Sequence, residues 1–142
     1  MIIDIDSGEI IKSKFTKLYF NDISKLFGLN ETDIKILLLM VKSIGLGNTS
    51  MIDMHPKRKK EYAKQINKTT RSVDNALKNL KLSGIIKKLE PESRVYMVNP
   101  DIIFSGNDYQ RAKVIIDYSS GSRKVKAFAN EDEAVKYLQS VK

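Results

Sequence analysis

The sequence predicts a mainly α-helical chain with a small β element, an α+β arrangement built on one principal domain. Three observations carry this expectation. Apolar residues recur at three- and four-residue spacing in several segments long enough for helices. Two short runs rich in β-branched residues flank the turn Pro91-Glu92-Ser93. The 142 residues are 42% hydrophobic and 30% charged, which suits an ordinary core at this length.

The elements follow in order. Residues 1–13 alternate weakly around Asp6-Ser7-Gly8-Glu9 and suggest a small hairpin. Phe15 to Leu26 reads as an amphipathic helix on Phe15, Leu18, Tyr19, Ile23 and Leu26, with Gly28 ending it. Asn30 offers a cap for a helix whose face, Ile34, Ile36 to Val41 and Ile44, is apolar nearly all round; this is the expected core helix. Gly45-Leu46-Gly47-Asn48 reads as a loop, and Met51, Ile52 and Met54 as a short strand.

Pro56 suits the first position of a helix running to about Ile66. Asn67-Lys68-Thr69-Thr70 is a tight turn, and Thr69 caps a helix from Thr70 to Ser83 that Gly84 closes. Ile85–Glu90 and Arg94–Val98 make two strands. Asn99-Pro100-Asp101 opens a short segment containing Ile102, Ile103 and Phe104. Arg111 to Tyr118 has no clean period, Val125 to Phe128 reads as a strand, and Glu131 to Val141 as a short amphipathic helix.

Composition excludes several classes of chemistry. Without cysteine there is no disulfide scaffold, thiol nucleophile or Cys-ligated metal, and a single His rules out paired-histidine metal sites. The longest apolar run, Ile36–Val41, is far short of the ~20 residues a membrane span needs. Met1–Asp6 carries acids where a signal peptide would carry Lys or Arg. The expectation is a soluble cytoplasmic protein without cofactor, metal or membrane partner.

The net charge of +8 is concentrated in one place. Between His55 and Leu89 eleven basic residues face only Glu61 and Asp74, a local balance of +9, while the rest of the chain is close to neutral at −1. A solvated surface mixes signs, whereas one sign in one window is the footprint of a polyanion site. That window also holds a helix, a tight turn, a capped second helix, Gly84 and a basic hairpin. Ala63 is small where two helices would cross, and Val73, Leu77 and Leu80 give the second helix an inward face. This order predicts a winged helix-turn-helix that binds double-stranded DNA.

Geometry then assigns the contacts. The outward face of the second helix offers Thr70, Arg71, Asn75 and Asn79 for base edges. Arg71 suits bidentate contact with guanine, and Asn75 with adenine. Lys57, Arg58, Lys59, Lys60, Lys64, Lys68, Thr69, Ser72 and Lys78 are placed for the phosphate backbone, and Lys87, Lys88 and Arg94 for the wing. Reading through one helix spans few base pairs, so a homodimer on two half-sites about one turn apart is expected.

The chain resembles the RepL-type replication proteins of firmicute plasmids over Phe15 to Tyr118. The resemblance is carried by Lys14-Phe15-Thr16-Lys17, by "GLNETDIKILLLM" (28–40), by "EYAKQINKTTRSVDNALKNLKLSGIIKK" (61–88) and by "RVYMVNPDIIFSGN" (94–107). In the last, Tyr96, Asn99, Pro100, Phe104 and Gly106 resemble the exit of that family's wing. The resemblance implies a plasmid or phage replication initiator that binds an origin and recruits host replication proteins. A winged-helix transcriptional repressor is the alternative, because the same fold serves both roles. Residues 1–106 are assigned to the DNA-binding domain with an N-terminal extension, and 107–142 to a C-terminal extension, a candidate for dimerisation.

An enzyme is not expected. Rolling-circle nicking requires a tyrosine nucleophile and a metal, usually held by paired histidines. The single His55 precedes Pro56 as a helix-entry residue, Tyr62 and Tyr96 fall at packed positions, and Glu131-Asp132-Glu133 suits a first helical turn.

Overall fold

In the computed structural model, which describes residues 1–11, 15–44 and 50–141, the chain opens on an antiparallel hairpin. Its strands β1 (Ile2–Ile3) and β2 (Ile10–Ile11) pair Ile2 with Ile11. All eleven of these residues are exposed. The expected loop at Gly45–Asn48 lies outside the described residues.

Phe15 to Leu26 is not one amphipathic helix. Lys17–Leu18 form β3, and Phe20–Leu26 form a 3₁₀ turn that breaks at Asp22 (φ −115°, ψ 19°). Tertiary pairing overrides the helical spacing here. Tyr19 N–H donates to Ile102 O at 2.8 Å, and the guanidinium of Arg111 lies 3.5 Å from the centre of the Tyr19 ring.

Helix α1 spans Glu31–Ile44, and Asn30 caps it: Asp33 N–H donates to Asn30 Oδ1 at 2.8 Å, and Asn30 N–H to Asp33 Oδ2 at 3.1 Å. Strand β4 (Met51–Asp53) follows, then α2 (Pro56–Gln65) and α3 (Thr70–Leu82). Strands β5 (Ile86–Lys88) and β6 (Val95–Val98) complete an antiparallel sheet in the order β4-β6-β5. Both strands of that hairpin are shorter than the sequence spacing suggests.

Alternation along these strands gives the sheet two working faces. Ile52, Tyr96, Val98 and Ile86 join Ile36, Leu37 and Met40 of α1 and Val73, Ala76, Leu77 and Leu80 of α3 in the main core. Full burial of each Ile, Leu, Val or Met side chain among these contributes roughly 1.5–3 kcal/mol. Met97 faces the other way, into a second cluster with Phe104 and Val114, against which Tyr19, Met51 and Tyr118 pack.

Elements C-terminal to the sheet build that second cluster. β7 (Ile103–Phe104) pairs antiparallel with β3, and α4 (Asp108–Tyr118) resolves the region that has no clean period. Asn107 and Gln110 form a reciprocal capping box at the start of α4. With Val114 and Ile115 buried, α4 belongs to the same packed unit as β6 and β7. Val125–Phe128 does not form a strand and pairs with none among the described residues; Phe128 instead meets the Tyr137 ring at 5.3 Å. Helix α5 (Glu131–Ser140) buries none of its residues.

Candidate nucleic-acid interface

The basic window folds into α2, α3 and the turn between them. His55 caps α2 by accepting the Arg58 N–H on Nδ1 at 3.0 Å, and Pro56 takes the first position, where no N–H is needed. Ala63 is buried, and its carbonyl accepts the Lys68 N–H at 2.9 Å to close the turn. Asn67 takes a left-handed conformation there (φ 56°), which its short amide side chain tolerates. Thr69 then caps α3 by accepting the Ser72 N–H. Tyr62, also buried, fixes α2 to α1: its hydroxyl donates to Leu39 O at 3.0 Å and meets Ser43 Oγ.

With Val73, Ala76, Leu77 and Leu80 facing inward, α3 presents Thr70, Arg71, Asn75 and Lys78 to solvent. Lys57, Lys60, Lys64 and Lys68 are exposed along α2 and the turn beside them. Among the described residues, Lys59 alone of the window's eleven cations has an ion-pair partner within 4 Å. Its Nζ lies 2.8 Å from Asp74 Oδ1, joining α2 to α3. Arg58 turns back to donate to Asp53 O at 3.0 Å. The face therefore keeps most of its positive charge unneutralised, which suits a polyanion.

Some expected contacts are committed elsewhere. Asn79 is not on the free outward face; its amide donates to the Asp33 carboxylate at 3.2 and 3.4 Å, across the seam with α1. The hydroxyls of Thr69 and Ser72 lie 3.2 Å apart within the cap. The cations expected on a wing are also engaged. Lys87 lies over the Tyr118 ring and donates to Ser120 Oγ, Lys88 lies over Tyr96, and Arg94 Nε sits 2.9 Å from Asp53 Oδ1. The exposed tip between these strands carries Glu90 and Glu92, so the charge on this hairpin is weaker than its lysine count suggests.

Sequence reasoning missed Asp33, a buried carboxylate at the foot of the candidate interface. The pattern Asn30-x-x-Asp33 signals its capping role, but its partner Asn79 is 46 residues away and no local spacing reveals it. The junction between α3 and β5 has a similar support. Asn99, 4% exposed, donates to Gly84 O at 3.0 Å, and Tyr118 Oη reaches the same carbonyl at 3.4 Å. Burial pushes the Tyr118 phenol up to about 12 and shifts Tyr62 and Tyr96 in the same direction, so all three are held as neutral hydroxyls.

Among the described residues no group of three or more His, Cys, Asp and Glu is placed to hold a metal ion, and no helix is long and apolar enough to cross a membrane. No curated protein and no solved structure matches the chain. The family described as Firmicute plasmid replication protein (RepL) matches residues 2–140, nearly the whole sequence. The chain belongs to this family of plasmid replication proteins.

Proposed function

We propose that the chain is a replication initiator that binds double-stranded origin DNA through a winged helix-turn-helix formed by α1 to β6. The order of helix, strand, two helices and hairpin suits that fold, with α3 as the reading helix. One observation carries the proposal: the exposed Thr70-Arg71-Asn75-Lys78 face of α3 is flanked by Lys57, Lys60, Lys64 and Lys68. A groove about 12 Å wide admits such a helix, and the lysines follow the phosphates on either side. Family membership supports replication rather than repression as the outcome of binding. The chain acts by binding and carries no catalytic step of its own. It works as a homodimer on paired half-sites about 34–36 Å apart and offers a surface to host replication proteins.

Binding to duplex DNA from the source plasmid's replication region, followed against salt, tests this. Affinity is expected to fall steeply as salt rises, and Lys64→Ala or Lys68→Ala to reduce that slope by about one each. Equal affinity for single strands, or no dependence on these lysines, would overturn the reading.

A further inference from the structure

Asp33 is the one charged side chain among the described residues that is buried, at 2% exposure. Its carboxylate does two things. Oδ2 accepts the Asn30 N–H at 3.1 Å, completing the cap of α1, where the helix dipole favours a negative charge. Both oxygens also accept from the Asn79 amide of α3, at 3.2 and 3.4 Å. The rest of the α1–α3 seam is aliphatic: Ile36, Leu37 and Met40 against Val73, Ala76, Leu77 and Leu80. Aliphatic contact is non-directional and tolerates small adjustments of roll. A hydrogen bond from a fixed carboxylate does not.

The consequence falls on Asn75. Asn75 and Asn79 are four residues apart on α3, so they share one edge of the helix. Asn30, Thr32, Asp33, Ser72, Asn75 and Asn79 line one polar cleft there. Fixing the azimuth of Asn79 therefore fixes that of Asn75, one turn closer to the helix N-terminus. Paired hydrogen bonds to a base edge tolerate only about 0.5 Å or 10–20° of misplacement.

We infer that Asp33 is a positioning residue for base recognition: through Asn79 it sets the roll of α3, and so the register of Asn75 and Arg71 on the bases. The inference rests on the DNA-binding reading above. Asn79→Ala removes the link while leaving the Asn30–Asp33 cap in place. Asn79→Asp sets a second carboxylate against that of Asp33, a repulsion that no turn of the side chain converts into a hydrogen bond. The double exchange, Asp33→Asn with Asn79→Asp, restores a donor–acceptor pair with its direction reversed. The amide oxygen introduced at position 33 still accepts the Asn30 N–H, so the cap is kept.

The test is selection from random duplex DNA by the full chain and these three variants, with thermal melts alongside. The wild type is expected to enrich a site. Each single variant should lose about tenfold in preference at the bases facing Asn75, about the discrimination one such contact supplies, and the charge-neutral Asn79→Ala should keep the salt slope. The double exchange should recover the wild-type preference, although the negative charge it moves onto α3 lowers affinity for all sequences. Wild-type base preference in both single variants, or a loss of melting temperature alone, overturns the positioning role. Loss in the single variants without recovery in the double exchange also overturns it. A wild type that enriches nothing overturns the DNA-reading proposal itself, a separate outcome.

Discussion

Asn99 holds Gly84. The Asn99 amide donates to the Gly84 carbonyl at 3.0 Å, and its own Oδ1 accepts the Asp101 N–H at 3.0 Å. This buried side chain thereby joins the end of α3 to the exit of β6. It explains why an Asn-Pro pair follows the β5–β6 hairpin: the amide stitches two chain reversals, and Gly84 takes the left-handed turn (φ 75°) that lets the carbonyl point inward. Asn99→Ala leaves the Asp101 N–H without this partner and the Gly84 carbonyl with the long Tyr118 hydroxyl contact alone. A loss of about 1–3 kcal/mol is expected in urea unfolding. A change below about 0.5 kcal/mol would show that the link is dispensable.

Gly106 is a second backbone constraint, between β7 and α4. Its φ is +148°, and an added Cβ would lie 2.6 Å from both Phe104 Cε2 and Gln110 Oε1. Phe104 is buried and Gln110 serves the α4 cap, so neither yields freely. Gly106→Ala is expected to cost at least about 1 kcal/mol, with α4 amides exchanging faster by hydrogen exchange. Unchanged stability would show that this turn relaxes without strain.

Alkaline pH should weaken the fold. Tyr118 releases its proton near pH 10 in the unfolded chain but only at about 12 when folded, because burial opposes the charged form. The folded pKa is raised, so the contribution is complete below pH 10 and lost as pH rises through 12. Tyr62 and Tyr96 act in the same direction. Urea midpoints should fall between about pH 9.5 and 11.5 as Tyr118 begins to release its proton on unfolding (about 10 unfolded against about 12 folded), and Tyr118→Phe should flatten part of that fall. Equal slopes for the two proteins would rule Tyr118 out as a contributor.

The Lys59–Asp74 pair separates stability from binding. It is solvent-exposed on the Asp74 side, so Asp74→Ala should change stability by less than about 1 kcal/mol. It also frees Lys59 and removes one of only two acids in the basic window. Affinity for duplex DNA should rise and the salt slope steepen by about one. Weaker binding at unchanged stability would place Asp74 itself in contact with the DNA.

Much of the candidate interface is legible in the sequence because its signals are local. Pro56, Thr69 and Gly84 mark helix ends through their own backbone chemistry, and Val73, Leu77 and Leu80 mark the inner face of α3 by spacing alone. The misreadings fall where distant residues decide. Phe15–Leu26 has helical spacing, yet β7 and Arg111 hold Lys17–Tyr19 extended. Asn79 lies on the polar side of a helical wheel, yet Asp33 claims it across 46 residues. Lys87, Lys88 and Arg94 look free in sequence, and their partners Tyr118, Tyr96 and Asp53 come from other elements.

The central claim is that α3 reads bases through Arg71. Selection from random duplex DNA, run in parallel with wild type and Arg71→Ala, tests it most directly. One enriched site is expected, with preference at one base pair relaxed by roughly 1–3 kcal/mol in the variant and the other positions retained. The same site enriched to the same degree by both proteins would contradict it.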